Sequence, residues 1–192
     1  TRHRELGVAG VALATGMCFV GLGMAIGSLK RLEAAGAGEA ARAFSIVSFS
    51  AVALFAALFA AAIVNVKKPE AHKRLMLVAT VSMLQAAVGR WFLLFLAPRT
   101  VGPPGPPAVP PVLVSVGPGI VIDLLIVAAM VHDRKTRGRV HPAYWYAGAL
   151  VLAVQVLRVP ISATSAWTSV TPHRRALVAH QLHRRKRHPQ LR

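Results

Sequence analysis

Residues 43–66 read AFSIVSFSAVALFAALFAAAIVNV, an unbroken run of 24 residues without a charged side chain. A helix needs about 20 mostly apolar residues to cross the hydrocarbon core of a bilayer. Inside lipid, an α-helix pairs all of its own backbone N–H and C=O groups, which an isolated strand or loop does not. The run therefore predicts a membrane-spanning α-helix.

Four further stretches come close to the same length and apolar character. The whole chain of 192 residues is 55% hydrophobic and 15% charged, more apolar than a small soluble domain could bury. This composition excludes an ordinary soluble enzyme and predicts an all-α, polytopic transmembrane helix bundle within residues 1–168. The five predicted spans are 6–29, 43–66, 75–97, 112–132 and 142–162.

The basic residues predict how the bundle is oriented. The chain carries 23 Lys and Arg against 6 Asp and Glu, a formal charge of +17. Ten of the basic residues lie in residues 1–5, 67–74 and 133–141, whereas 30–42 and 98–111 together hold four. Because Lys and Arg are enriched in cytoplasmic loops, we expect the first three segments in the cytoplasm of a bacterium and the protein in its inner membrane.

Two segments outside the spans have a biased composition. Residues 98–111 contain seven prolines, which predicts a stiff, extended external loop. Residues 169–192 form a basic tail rich in His and Arg. We expect the tail to contact anionic lipid or an acidic partner, and rank nucleic acid below both.

Three ionisable residues fall inside the apolar stretches, where a charge is costly. At about 1.5 Å per residue, Arg90 and Arg158 lie roughly 24 Å from the predicted cytoplasmic ends of their helices, and Asp123 roughly 13 Å. They predict an intramembrane polar cluster. It is either a structural ion pair, with the spare arginine reaching the headgroups, or a site for an anion, a proton or a quinone. Gln85 and Gln155 add uncharged polar groups to the same helices.

Histidine supplies the best candidates for cofactor ligands. His72, His132 and His141 all fall at the predicted cytoplasmic boundary, and neutral imidazoles bind haem iron or a transition metal. Since the 67–74 and 137–142 turns share a basic, proline-led helix start, His72 and His141 form the best pair for a haem b. A headgroup contact or a capping role is the alternative for each histidine, and the identity of any metal stays open.

Other motifs are sparse. Gly23 and Gly27 form a GxxxG pair, which predicts close helix packing, either within the chain or against another subunit. A single cysteine, Cys18, excludes an internal disulfide. We find no sequence motif typical of a known catalytic site, so an enzymatic activity is uncertain.

Residues 67–80, KKPEAHKRLMLVAT, together with Asp123, residues 137–142 (RGRVHP) and Leu157-Arg158, resemble a family of uncharacterised bacterial inner-membrane proteins with a P-x-x-H-K-R-L-M helix start. The resemblance covers about residues 5–168. More loosely, the helix start is similar to small multi-span proteins of haem-copper oxidase assembly and to cytochrome-b-like proteins. That looser resemblance implies a haem or redox association through His72 and His141.

Three hypotheses for the function follow. The first is a redox or assembly protein with a His-ligated haem b or metal. The alternative is a non-catalytic accessory subunit that contacts other membrane subunits. The second alternative is a small anion or proton transporter that uses Arg90, Asp123 and Arg158.

Overall fold

The computed structural model describes residues 2–96 and 108–169, and within these ranges the chain is helical, with no strand. The elements are α1 (Arg2–Ala34), α2 (Gly38–Val64), α3 (Pro69–Leu96), a 3₁₀ turn (Val112–Ser115), α4 (Val116–Arg137), α5 (Pro142–Ser162) and α6 (Ser165–Thr168).

Five helices, α1 to α5, are long and apolar enough to cross a membrane. Many large apolar side chains point outward, as a bilayer requires; Phe19, Leu124 and Val156, for example, are each more than half exposed. The prediction of an all-α bundle of about five spans is therefore confirmed, and the chain is a multi-pass membrane protein.

The centre of the bundle is formed by α2, α3, α4 and α5, while α1 packs mainly along α2. Leu58 of α2, Val78 of α3, Ile122 of α4 and Val151 of α5 are fully buried where these helices meet. The charged residues at the helix ends lie at the two opposite ends of this apolar core. We call the end that carries the α2–α3 and α4–α5 turns the basic end.

At the basic end, both helices that begin there have a proline as their first residue. α3 begins at Pro69 and α5 at Pro142. A proline fits a first helical turn because its missing N–H would be unpaired there in any case. α3 thus begins six residues before the predicted span, and its polar first turn stays helical because Lys73 and Arg74 pair with Glu70.

The opposite end is fastened by Arg42 at the start of α2. Its guanidinium donates to Glu33 of α1 (2.7 Å) and to the Thr168 carbonyl (3.1 Å). The Trp167 indole in turn donates to the Arg42 carbonyl at 2.9 Å. These contacts hold the short α6 and the α1–α2 turn against the core. Most of the predicted proline-rich loop and nearly all of the basic tail lie outside the described residues.

The close approach between α1 and α2 occurs at a glycine other than the predicted pair. A Cβ on Gly21 would lie 3.0 Å from Val52 Cγ2, whereas one on Gly23 or Gly27 would meet nothing within 4 Å. Gly23 and Gly27 therefore lie on a face of α1 that is open in the described part of the chain.

Candidate functional site

Arg158 is the most deeply buried of the three predicted intramembrane ionisable residues, with 2% of its surface exposed. Its Nη2 donates to the Ser115 carbonyl at 3.0 Å, and its Nη1 to Gln85 Oε1 at 3.4 Å. Its Nε is buried without a hydrogen-bond partner among the described residues. No carboxylate of the described residues forms an ion pair with it. A positive charge thus lies inside the bundle with neutral partners.

Asp123 is connected to the surroundings of Arg158 by a hydrogen bond from the side-chain amide of Gln155. Its Oδ1 accepts a hydrogen bond from Gln155 Nε2 at 3.2 Å, and Gln155 lies one helical turn before Arg158 on the same face of α5. Gln85 also donates to the Ser115 carbonyl, at 3.2 Å. We call the five residues Gln85, Ser115, Asp123, Gln155 and Arg158 the polar layer.

Gly119 makes room for this layer. A Cβ at Gly119 would lie 2.6 Å from Gln155 Oε1 and 3.3 Å from Gln85 Nε2. Both amide side chains therefore rest against bare α4 backbone. Neither GxxxG spacing nor any other common motif marks this glycine, and its role becomes visible once the helices are packed.

Arg90 lies apart from the other two ionisable residues. It is exposed and has no ion pair with the described residues, but it lines a cavity of about 320 Å³ between α1, α2, α3 and the start of α4. Gln85 and Ser115, the two partners of Arg158, line the same cavity, together with Ser28 and other mostly apolar residues. We call it the Arg90 cavity. Within the described part of the chain, no carboxylate lines it.

A second depression approaches the polar layer from the basic end. It measures about 290 Å³ and lies between α4 and α5, with Asp123 at one end and Tyr144 and Trp145 at the other. Along α4 it runs from Asp123 to Met130, about 10 Å at the helical rise per residue. We call it the Asp123 groove. The polar layer therefore lies between two cavities that are lined by different halves of the bundle.

The histidines have different hydrogen-bonding roles. His72 Nδ1 lies 2.8 Å from the Ala62 carbonyl, so in the neutral ring Nδ1 carries the proton and Nε2 the lone pair. His141 caps α5, and its Nδ1 accepts from the Ala143 N–H at 3.1 Å, so the proton of the neutral ring is on Nε2. His132 is exposed beside Arg74 and Asp133. A haem bound by His72 and His141 requires His141 to give up this cap.

No group of three or more His, Cys, Asp or Glu side chains in the described ranges could hold a metal ion. His72 is the histidine whose geometry suits a ligand, since a carbonyl fixes its tautomer and orientation.

A charged cluster at the basic end joins α3 to α4. Arg74 is 3% exposed and bonds Asp133 through both Nε and Nη2, and Glu70 Oε2 through Nη1 at 2.6 Å. Arg137 pairs with both carboxylates. Asp133 also accepts the backbone N–H of His141 at 2.9 Å, which ties in the start of α5. We call Glu70, Arg74, Asp133 and Arg137 the basic-end clamp.

The basic residues of the 67–74 and 133–141 segments predict the orientation of the bundle, but no cluster that joins them to Glu70 and Asp133 is predicted from the sequence. A signal was nonetheless present, because Glu70 and Arg74 are spaced i, i+4, as are Asp133 and Arg137, a spacing that brings side chains together on one helix face.

The fold and its polar layer define a multi-pass helical membrane protein with buried polar groups. No protein-family model matches the chain, and no curated protein or solved structure is similar enough to count as a match.

Proposed function

We propose that the protein is a small transporter of the inner membrane that carries an organic anion past Arg158. The main evidence for this proposal is the buried guanidinium of Arg158, which has neutral partners and an Nε without a hydrogen-bond partner among the described residues. A buried charge is costly unless it is paired, and ionisable residues inside membranes commonly mark ion pathways. A bound anion would supply the missing counter-charge.

The two cavities support transport rather than binding alone. The Arg90 cavity reaches Gln85 and Ser115 on one side of the polar layer, and the Asp123 groove reaches Asp123 on the other. A ligand held between them has a short distance to either side, and small helix movements would open one route and close the other.

The lining of the Arg90 cavity indicates the class of ligand. Its volume of about 320 Å³ is near the lower end of the roughly 300–1,000 Å³ typical of ligand pockets. Apolar side chains such as Phe44 and Leu93 form part of the wall, next to Arg90 and the partners of Arg158. This combination suits a small anion with an apolar body, such as an aromatic or short-chain sulfonate or carboxylate.

Uptake of radiolabelled benzenesulfonate into liposomes that contain the purified protein tests the proposal. We expect uptake above that of protein-free liposomes. Ala86→Leu narrows the Arg90 cavity without changing a charge and should lower uptake by about tenfold, equivalent to about 1.4 kcal/mol.

The matched control is Ala87→Leu, on the next residue of α3 but outside the cavity lining. It should stay within about twofold of the unmodified protein, as surface substitutions usually do. Uptake equal to that of protein-free liposomes, with folded protein confirmed by circular dichroism, would refute transport of this anion class. An equal loss of uptake in both variants would show that the loss does not result from narrowing the Arg90 cavity.

A haem-binding redox or assembly protein is the second candidate. It is supported by His72, whose Nδ1 is held by the Ala62 carbonyl while Nε2 stays available as a ligand. A reduced-minus-oxidised absorption spectrum of the protein purified with haem supplied tests it. A sharp haem band lost in His72→Ala would establish this role, and a featureless spectrum would remove it.

The role of an accessory subunit rests on α1. The open face with Gly23 and Gly27 would allow another helix to approach closely. Co-purification in mild detergent, compared between the unmodified protein and Gly23→Leu, tests it. A partner protein that co-purifies with the unmodified protein but not with Gly23→Leu would support this role. A partner that co-purifies with both would bind a surface other than the Gly23 face.

A further inference from the structure

We infer that Asp123 binds a proton together with the anion, so that the protein moves one proton with each anion and no net charge. The inference rests on the proposed anion transport and names its coupling ion. It is supported by the placement of a carboxylate and a guanidinium in the same polar layer: Asp123 lines the Asp123 groove, and Gln85 and Ser115, the partners of Arg158, line the Arg90 cavity.

The first step concerns the state without anion. Asp123 and Arg158 do not touch, yet Gln155 bonds Asp123 and lies one turn from Arg158. Opposite charges inside the bundle attract more than they would in water, because the dielectric constant there is lower. An ionised Asp123 therefore supplies part of the counter-charge that Arg158 lacks.

The second step is the arrival of an anion at Arg158. Its negative charge takes over as the counter-charge of Arg158, and an ionised Asp123 is then a second negative charge in the polar layer. Like charges in one site favour protonation of one of them. Because each ligand favours the binding of the other, proton and anion bind with positive cooperativity.

The other titratable and charged groups around Asp123 do not replace it. Tyr144 of α5 shares the groove but is neutral at physiological pH. Arg74 is bound in the basic-end clamp, and Arg90 lies at the Arg90 cavity on the other side of the layer. Asp133, the other carboxylate of α4, is paired with Arg74. Arg158 is therefore the charge in the polar layer that Asp123 senses.

The proton transfer itself is simple. A hydronium ion of the aqueous phase gives up its proton and becomes water, and an O–H bond forms at the Asp123 carboxylate. Oδ2 is the available oxygen, because Oδ1 already accepts from Gln155 and no described residue donates to Oδ2. On the other side of the membrane, the same bond breaks and the proton returns to water as the anion leaves.

Benzenesulfonate is a suitable probe because it stays ionised and cannot itself carry the proton. It is added to the detergent-solubilised protein in weakly buffered solution with a pH indicator, while equilibrium dialysis measures bound anion. We expect the unmodified protein to take up about one proton per bound anion. Asp123→Asn, which keeps the shape and an oxygen for Gln155, should bind the anion with no proton uptake.

A second measurement covers the case in which the variant does not fold. In the unmodified protein, benzenesulfonate affinity should rise as the pH falls, by up to about tenfold per unit. Arg134→Gln, which removes an exposed charge at the basic end, should show the same dependence.

The outcomes separate the two proposals. Anion binding without proton uptake, or with an affinity independent of pH, would overturn proton coupling and leave anion transport standing. Equal proton uptake by Asp123→Asn would also overturn it, since the proton would then bind elsewhere. Absence of benzenesulfonate binding would overturn both.

Discussion

Gly119 lies directly against the Gln155 side chain: a Cβ built on the glycine would come within 2.6 Å of Gln155 Oε1. The amide that bonds Asp123 therefore has its place because α4 has no side chain at that point.

Replacing this glycine should disturb the polar layer. Gly119→Ala forces Gln155 to move, and such overpacking typically costs about 1–3 kcal/mol. We expect a lower midpoint in SDS-induced unfolding, followed by circular dichroism, and weaker benzenesulfonate binding. Gly16→Ala in α1 is the control, since its Cβ would meet nothing within 4 Å. Equal effects of the two substitutions would mean that the contact with Gln155 has no special role.

The basic-end clamp should contribute strongly to stability. Asp133→Ala would leave Arg74, 3% exposed, with Glu70 as its remaining acidic partner, and hydrogen bonds to charged groups contribute about 1.5–3 kcal/mol. Lys73→Ala removes an exposed partner of Glu70 and should change stability far less, because exposed ion pairs contribute little. SDS titration of both variants measures the difference. Similar stability of the two would show that Arg74 finds another partner.

The orientation of the bundle can be measured with single cysteines. In a Cys18→Ala background, Lys135→Cys lies at the basic end and Ala35→Cys in the α1–α2 turn, and both positions are exposed. With the basic end in the cytoplasm, a membrane-impermeant maleimide should label Ala35→Cys in intact bacterial spheroplasts, and Lys135→Cys after the membrane is permeabilised. The reverse pattern would invert the topology.

Much of the fold could be predicted from the sequence, because span length and hydrophobicity are properties of single segments. An uncharged run such as residues 43–66 pairs its backbone N–H and C=O groups in lipid by forming a helix. Pro69 and Pro142 begin helices because the N–H that proline lacks would be unpaired in a first helical turn. These signals need no knowledge of how the helices pack against one another.

The site could be predicted in part. Arg158 and Asp123 stood out because charges are rare at such depth, but their partners depend on the rotation of each helix about its axis, which tertiary packing sets. The Ser115 carbonyl that binds Arg158 is a backbone group, and residue type does not reveal it. Gly21, Gly117 and Gly119 make close approaches, whereas Gly23 and Gly27 do not, because packing rather than motif spacing decides which glycine meets a neighbour.

In the proposed transport, the positive charge of Arg158 holds the anion. Equilibrium dialysis of benzenesulfonate with Arg158→Gln and with Arg134→Gln, each in detergent, tests this role of Arg158. We expect Arg158→Gln to weaken binding by roughly tenfold or more, since hydrogen bonds to charged groups contribute about 1.5–3 kcal/mol, while Arg134→Gln leaves it unchanged. Undiminished binding by folded Arg158→Gln would contradict the claim.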